Sequence, residues 1–299
     1  MKIGYLGLGK MGKGMVLHLL EQGVEVVAWN RSPEPLNEVA EAGATPADSP
    51  IDVVKKLDSP RIIWIMLPEG ELVDEIISQL VPELQSGDLI IDGGNSFYKD
   101  SVRRGEELST KGIHFMDIGT SGGPAGARTG ACLMVGGGGE DFERVKELLE
   151  KIAAAGALGH FGKVGSGHFA KMVHNGIEYG MMEAIGEGAA ILKKGPFELD
   201  LAEVFRVYNN KSVIESRLVG WTQEALAEDP ELKEYSSKIN ATGEGEWTIK
   251  TAQEEGVDAR VIEDAFKVRQ ESSEDKDDFR AKVVNAQRGK FGGHSVKKG

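Results

Sequence analysis

The pattern Gly7-Leu8-Gly9-Lys10-Met11-Gly12 constrains this chain more than any other stretch of its 299 residues. It follows the short run Lys2–Leu6, rich in residues that favour strands, and it opens the stretch Met11–Gln22, which has helical spacing. Glycines at this spacing divide the work. The first permits a tight turn, the second lets backbone approach a pyrophosphate, and the third allows a helix to pack closely on a strand. A phosphate placed there meets free N–H groups and the positive end of the helix dipole. The spacing alone is weak, because a glycine turn can be purely structural. Its position between a strand and a helix makes it a dinucleotide site built from Gly7, Leu8, Gly9, Lys10, Met11 and Gly12.

Further runs repeat the alternation. Strands are expected at Glu25–Trp29, Arg61–Leu67, Asp88–Asp92, His114–Ile118 and Cys132–Gly136, with helices such as Leu72–Leu84 and Asp141–Ile152 between them. Runs as continuously apolar as Ile62–Leu67 suit strands covered on both faces of a parallel sheet. Alternation of this kind predicts an α/β doubly wound, Rossmann-like sheet. After about Phe161 the strand signals stop, and helical patterns follow at Gly167–Lys194, Leu201–Asn209, Lys211–Ala227, Trp247–Glu255 and Ala259–Ser272. The expected organisation is a dinucleotide-binding domain over 1–163, an all-helical domain over 164–286, and a Gly-rich basic tail over 287–299.

Composition narrows the function classes. With 40% hydrophobic and 28% charged residues, and no apolar run near the ~20 residues that cross a bilayer, the chain reads as soluble, with no membrane partner. It lacks the long apolar block of a signal peptide, so a cytoplasmic location is expected. A net charge of −13 argues against nucleic acid, and it requires that any anionic substrate be met by a local group of basic residues. The one cysteine, Cys132, excludes an internal disulfide and reads as buried filler. No metal-ligand constellation is present in the pattern.

The second strand ends Trp29-Asn30-Arg31-Ser32. An NAD site usually has a carboxylate here for the ribose hydroxyls. Asn30, followed by a guanidinium and a hydroxyl able to hold a 2′-phosphate, favours NADP over NAD; the competing reading makes Arg31 a solvated surface residue.

The chemistry is expected on one helix. Lys171, His174, Asn175 and Glu178 stand at i, i+3, i+4 and i+7, which places them on one face. Phe169, Ala170, Met172, Val173 and Ile177 make the rest of the circumference apolar, so the helix should be buried. Polar groups on a buried helix should line a cleft holding a polar ligand, because unpaired buried charge is expensive. A desolvated lysine can turn neutral and act as a general base. Lys171 and Glu178 lie ~10 Å apart along the axis, which suits a base and an acid working at different atoms of one extended substrate. A structural Lys–Glu bridge would prefer i,i+4 spacing.

Lys171-Met172-Val173-His174-Asn175-Gly176-Ile177-Glu178-Tyr179, preceded by a Gly-rich turn, is similar to the signature of 6-phosphogluconate dehydrogenases. The resemblance extends to the first glycine turn, Met66-Leu67-Pro68, Ile91–Ser96 and Thr120–Arg128. It implies that Lys171 is the general base and Glu178 the general acid. It further implies substrate contacts at Asn95, Ser121, Gly122, Gly123, His174, Asn175 and Tyr179. It adds Met66, Leu67, Pro68 and Asn95 to the cofactor contacts, beside Asn30, Arg31 and Ser32. Arg288 and His294 match a pair that the partner subunit inserts into the site, so a homodimer or homotetramer completed in trans is expected. The implied reaction converts 6-phosphogluconate to ribulose 5-phosphate and CO2 with reduction of NADP or NAD, within the pentose phosphate pathway and gluconate utilisation. Two features depart from the longer members. Their duplicated helical half is missing, and Glu246 stands where they usually have lysine, so Arg269 or the tail must supply the missing charge. The alternatives are a non-decarboxylating 3-hydroxyacid dehydrogenase of the 3-hydroxyisobutyrate type, or a dinucleotide-binding sensor without turnover.

Overall fold

Apolar runs without polar alternation need cover on both faces, and the chain supplies it by winding helices around a sheet. In the computed structural model, which describes residues 1–240, 243–292 and Val296, the first part runs β1 (Lys2–Leu6), α1 (Lys10–Glu21), β2 (Glu25–Trp29), α2 (Pro33–Glu41), β3 (Thr45–Pro46), α3 (Pro50–Lys55) and β4 (Ile62–Ile65). It continues through α4 (Glu71–Leu80), β5 (Leu89–Asp92), α5 (Tyr98–Ser109), β6 (His114–Ser121), α6 (Gly123–Thr129), β7 (Ala131–Gly136), α7 (Gly139–Ile152) and β8 (Ala153–Gly162). The strands form one sheet in the order β3-β2-β1-β4-β5-β6-β7-β8. All neighbours are parallel except β6 and β7.

Alternate residues of each central strand enter different cores. Ile3, Tyr5, Val26, Trp64 and Ile91 pack on one face. Leu6, Val27, Ile63, Ile65 and Ile90 pack on the other. The strands expected from sequence are present. β8 was not expected, because its sequence Ala-Ala-Ala-Gly-Ala-Leu has little β-propensity. Pairing with β7 imposes the extended form instead. Cys132 corrects another expectation: it is exposed, because its neighbours Ala131 and Leu133 point into the core and the pleat turns it outward.

The remainder is helical: α8 (Ser166–Lys194), α9 (Leu201–Tyr208), α10 (Arg217–Glu228), α11 (Gly243–Glu254), α12 (Arg260–Gln270) and α13 (Phe279–Gly292). The chain divides into two compact units, Met1–Met172 and Val173–Gly299, with the division inside α8. In the second unit Phe205, Val219, Leu226, Val283 and Ala286 form the main core. No helix among the described residues is long and apolar enough to cross a membrane.

Two sequence expectations fail here. Residues 287–292 do not start a tail, because they continue α13, in which every residue from Ala281 to Arg288 is buried. Val296 is buried too, and its carbonyl accepts the Ser236 N–H at 2.9 Å. The glycines and lysines near the end concealed a helix whose buried amides bond to other parts of the same unit. Asn285 donates to the Ser236 and Lys238 carbonyls, and Gln287 donates to Thr222. Nor is α8 buried all round: Ile177 is 53% and Ile191 71% exposed, with Phe169 and Met181 also open.

Candidate active site

The glycine turn follows β1, where the strand order reverses and open α/β sheets bind ligands. Gly7 has φ 101°, and a Cβ there would overlap the Met66 carbonyl. A Cβ on Gly12 would overlap the Gly7 carbonyl, whereas one on Gly9 meets nothing within 4 Å. The first and third glycines are therefore demanded by the protein itself. The middle one faces open space, as an approaching pyrophosphate requires, and the turn fits a dinucleotide.

Asn30 has a structural part beside the one its position suggests. Its Oδ1 accepts the Leu8 N–H at 2.8 Å and its Nδ2 donates to the Ser32 carbonyl at 2.9 Å. It ties the glycine turn to the end of β2 and leaves Arg31 and Ser32 exposed beyond it. Lys10 is exposed at the start of α1, with Met11 partly buried beside it. Met66 and Leu67, half-buried, and Pro68, exposed, continue from β4.

Asn95 is exposed in the turn after β5. Sequence reasoning missed the group that holds this turn. Buried Asp92 accepts the Gly94 N–H (3.1 Å) and the Ser96 hydroxyl (2.7 Å). Arg104 of α5, itself buried, donates to Asp92, Ser96 and Asp74. The signal was available: an aspartate at a strand end followed by Gly-Gly-Asn-Ser is turn chemistry. At the end of β6, Ser121 leads into Gly122 (φ 116°) and Gly123 (φ 64°), which start α6. Lys171, half-buried near the start of α8, has its Cβ against the bare backbone of Gly119 in β6.

Asn95, Ser121–Gly123 and Lys171 belong to the first unit with the cofactor residues, and His174, Asn175, Glu178, Tyr179 and Arg288 to the second. Because α8 is one continuous helix, Lys171 shares a face with His174, Asn175 and Glu178. His174 Nδ1 meets Asn175 Oδ1 at 2.9 Å and lies 3.9 Å from Glu178 Oε2, a geometry that suits an Nδ1–H donor. Tyr179 is buried beneath the Arg269 guanidinium, 3.5 Å from its ring centroid, and stacks on Phe266. Gly245 of α11 has no room for a Cβ beside that ring.

Arg269 is bonded to Glu183 (3.2 Å), whose other oxygen takes Arg280 (2.6 Å). Burial pushes the Glu183 carboxyl upward in spite of both guanidinia. Arg288 is buried and donates to Asn285 (3.1 Å), and among the described residues it makes no salt bridge. Burial, then the charge of Arg269, hold its guanidinium below the ordinary arginine value, while Tyr179 and Glu178 act in the opposite sense. Arg269 and Arg288 thus feel each other's charge, and Arg288 that of Glu178 and Tyr179, in a chain of net charge −13. Glu246 is exposed and adds no positive charge. His294 lies outside the described residues.

A doubly wound sheet with its glycine turn at the strand-order reversal, followed by a helix bearing lysine and glutamate, defines a dinucleotide-dependent dehydrogenase. Residues 2–165 match the NAD binding domain of 6-phosphogluconate dehydrogenase, and residues 167–298 match the 6-phosphogluconate dehydrogenase C-terminal domain. The chain belongs to the 6-phosphogluconate dehydrogenase family. A Haloferax volcanii protein named as an NAD(+)-dependent, decarboxylating 6-phosphogluconate dehydrogenase is 40% identical over 298 residues, covering 99% of this chain and 98% of that one. YqeC of Bacillus subtilis, which is named only provisionally as such an enzyme, is 43% identical over 298 residues, with 100% of both chains covered. The Plasmodium falciparum 6-phosphogluconate dehydrogenase, solved apo, with NADP+ and with 6-phosphogluconate, superposes with a TM-score of 0.84 at 33% identity. That match covers 90% of this chain and 62% of the Plasmodium chain.

Proposed function

We propose that this chain oxidises and decarboxylates 6-phosphogluconate to ribulose 5-phosphate and CO2 with reduction of NAD(P). The observation that carries the reading is the α8 face bearing Lys171 and Glu178, with Arg269 seated on the Tyr179 ring and Arg288 within electrostatic reach of Glu178. A bound dinucleotide supplies the hydride acceptor for C3. Lys171, in its neutral form, takes the proton of the C3 hydroxyl and then, protonated, donates to the C3 carbonyl. The carbonyl receives the electron pair as the C1–C2 bond breaks and CO2 leaves. Glu178 delivers the proton to the carbon that lost CO2 while the C3 hydroxyl returns its proton to Lys171, and the enediol becomes the ketose. Asn95, Ser121, Gly122, Gly123, His174, Asn175 and Tyr179 hold the sugar acid. Arg269 and Arg288 meet its phosphate with rigid donor forks, in place of the lysine that longer members usually have at the position of Glu246.

Arg288 serves the site of its own chain in this reading, because its guanidinium is within electrostatic reach of its own Glu178 and Tyr179. The trans-donated tail is therefore not proposed for Arg288. Assembly into a homo-oligomer is supported separately by the apolar residues Phe169, Ile177, Met181 and Ile191, left open on α8. NADP is the preferred cofactor, since Arg31 is exposed beyond β2 where a 2′-phosphate would lie, and Asn30 offers no carboxylate to repel it. Mixing the protein with 6-phosphogluconate and NADP should give reduced-cofactor fluorescence and about one CO2 per turnover. Oxidation without CO2 would reassign the chain to the simple 3-hydroxyacid dehydrogenases, and no oxidation would leave only binding.

A further inference from the structure

The first turn of α8 lies on the sheet without side chains between. A Cβ on Gly167 would stand 2.5 Å from the carbonyl oxygens of Asp117 and Met134, and one on Gly136 would overlap the Asp117 carboxylate. Asp117, fully buried in β6, accepts the Gly165 N–H with one oxygen (2.6 Å) and the His168 N–H with the other (2.7 Å). The His168 N–H is a first-turn donor that a helix leaves without a partner. Ser101 of α5 adds a second tie, its hydroxyl 2.7 Å from His168 Nδ1. One turn further on, a Cβ at Gly119 would overlap Lys171 Cβ and lie 3.1 Å from Cγ.

From these contacts we infer that Asp117 is a positioning residue for Lys171: it clamps the first turn of α8 onto β6, and the bare backbone of Gly119 sets where the lysine stands. The same strand continues from Gly119 through Thr120 to Ser121, so one clamp fixes the lysine against the Ser121–Gly123 turn. The inference rests on the proposed role of Lys171 as the base. A general base must lie within hydrogen-bond reach of its proton, and a misplacement of ~1 Å can cost ~10²-fold. Asp117 touches no reacting atom; it acts through the helix.

Two variants of the full chain test this. Asp117→Asn replaces one of the two acceptor oxygens with a donor that opposes an N–H, and Gly119→Ala pushes on Lys171 directly. Turnover should fall ~10-fold in the first and ~100-fold in the second, with dinucleotide affinity unchanged. The primary isotope effect with substrate deuterated at C3 should rise in both, because the step at that carbon becomes limiting. The acylation rate of Lys171 by an amine reagent, read by peptide mass spectrometry, should change as well. Folded variants with wild-type turnover, isotope effect and labelling would overturn the inference. So would turnover lost only in step with melting temperature and dinucleotide affinity. If one variant does not fold, the other decides. A wild-type chain inert toward 6-phosphogluconate defeats the functional reading, while the labelling rate still decides whether Asp117 sets the lysine.

Discussion

The sheet unit and the helical unit use buried charge in opposite ways. In the sheet unit, buried carboxylates hold backbone. Asp88 accepts the Gln85 and Arg61 N–H groups, Asp92 holds the Gly94–Ser96 turn, and Asp117 holds the start of α8. In the helical unit the prominent buried charges are cations, Arg269, Arg288 and Lys282, with Glu183 shared between Arg269 and Arg280. The first kind of site is backbone shaped by a local pattern. The second is a set of side chains delivered by helices far apart in sequence. A backbone site should therefore tolerate side-chain change outside its turns, whereas a side-chain site should fail residue by residue.

The largest effect tests the residue at which the two styles meet. Lys171→Met should lower kcat by at least the ~10²–10⁴-fold typical of a lost general base, with dinucleotide binding retained. A near-normal kcat would remove the base assignment. Next, Arg288→Ala should raise KM for 6-phosphogluconate by about 10- to 100-fold, the worth of a charged hydrogen bond, and leave dinucleotide affinity alone. Mixing Lys171→Met and Arg288→Ala chains under subunit exchange, at substrate well below the raised KM, should add nothing to the activity of the separate chains, because in the proposed site both residues serve the same chain. Recovered activity would return Arg288 to the partner's site and break the comparison.

How much was legible follows from the same contrast. β1, β2 and the glycine turn could be read residue for residue, because both core faces draw on the same runs and the turn needs only its own glycines. The polar face of α8 was legible because helical period alone aligns Lys171, His174, Asn175 and Glu178. Arg288 was misread as tail, because what encloses it comes from distant parts of the chain. Thr222 and Ser236 satisfy its helix neighbours, and α9 and α10 share the core with α13. Periodicity reports which face is apolar but not which faces find cover, so the open Ile177 and Ile191 could not be foreseen. The position of Asn30 suggests a cofactor contact but not that its side chain also braces the turn through Leu8 and Ser32.

That double use of Asn30 gives a smaller effect. In Asn30→Asp the Leu8 N–H keeps an acceptor, but the donor to the Ser32 carbonyl is lost and a carboxylate faces the proposed 2′-phosphate. The kcat/KM ratio of NADP to NAD should fall about tenfold, through repulsion rather than a gained contact. A wild-type chain that already prefers NAD, or an unchanged ratio, would show that Arg31 is a solvated surface residue.

The smallest effect asks whether the sheet unit's turns depend on surface charge. Asp74 is partly exposed and is shared by Arg103 and Arg104. The Arg104 hydrogen bond, aided by Arg103 and opposed by burial, holds its carboxyl below the usual aspartate range. A depressed carboxylate contributes stability that is present above its unfolded value, ~3.9, and is lost as pH falls through the folded value. Asp74→Asn should therefore lower the melting temperature by about 1–3 °C at neutral pH, and the two curves should converge as the pH is taken below 4. Arg104 keeps Asp92 and Ser96 in the variant, so the turn that carries Asn95 should persist and dinucleotide affinity should not change. If affinity fell together with melting temperature, the Asn95 turn would depend on a chain of side chains reaching the surface. The sheet unit's site would then be built in the same way as the helical one.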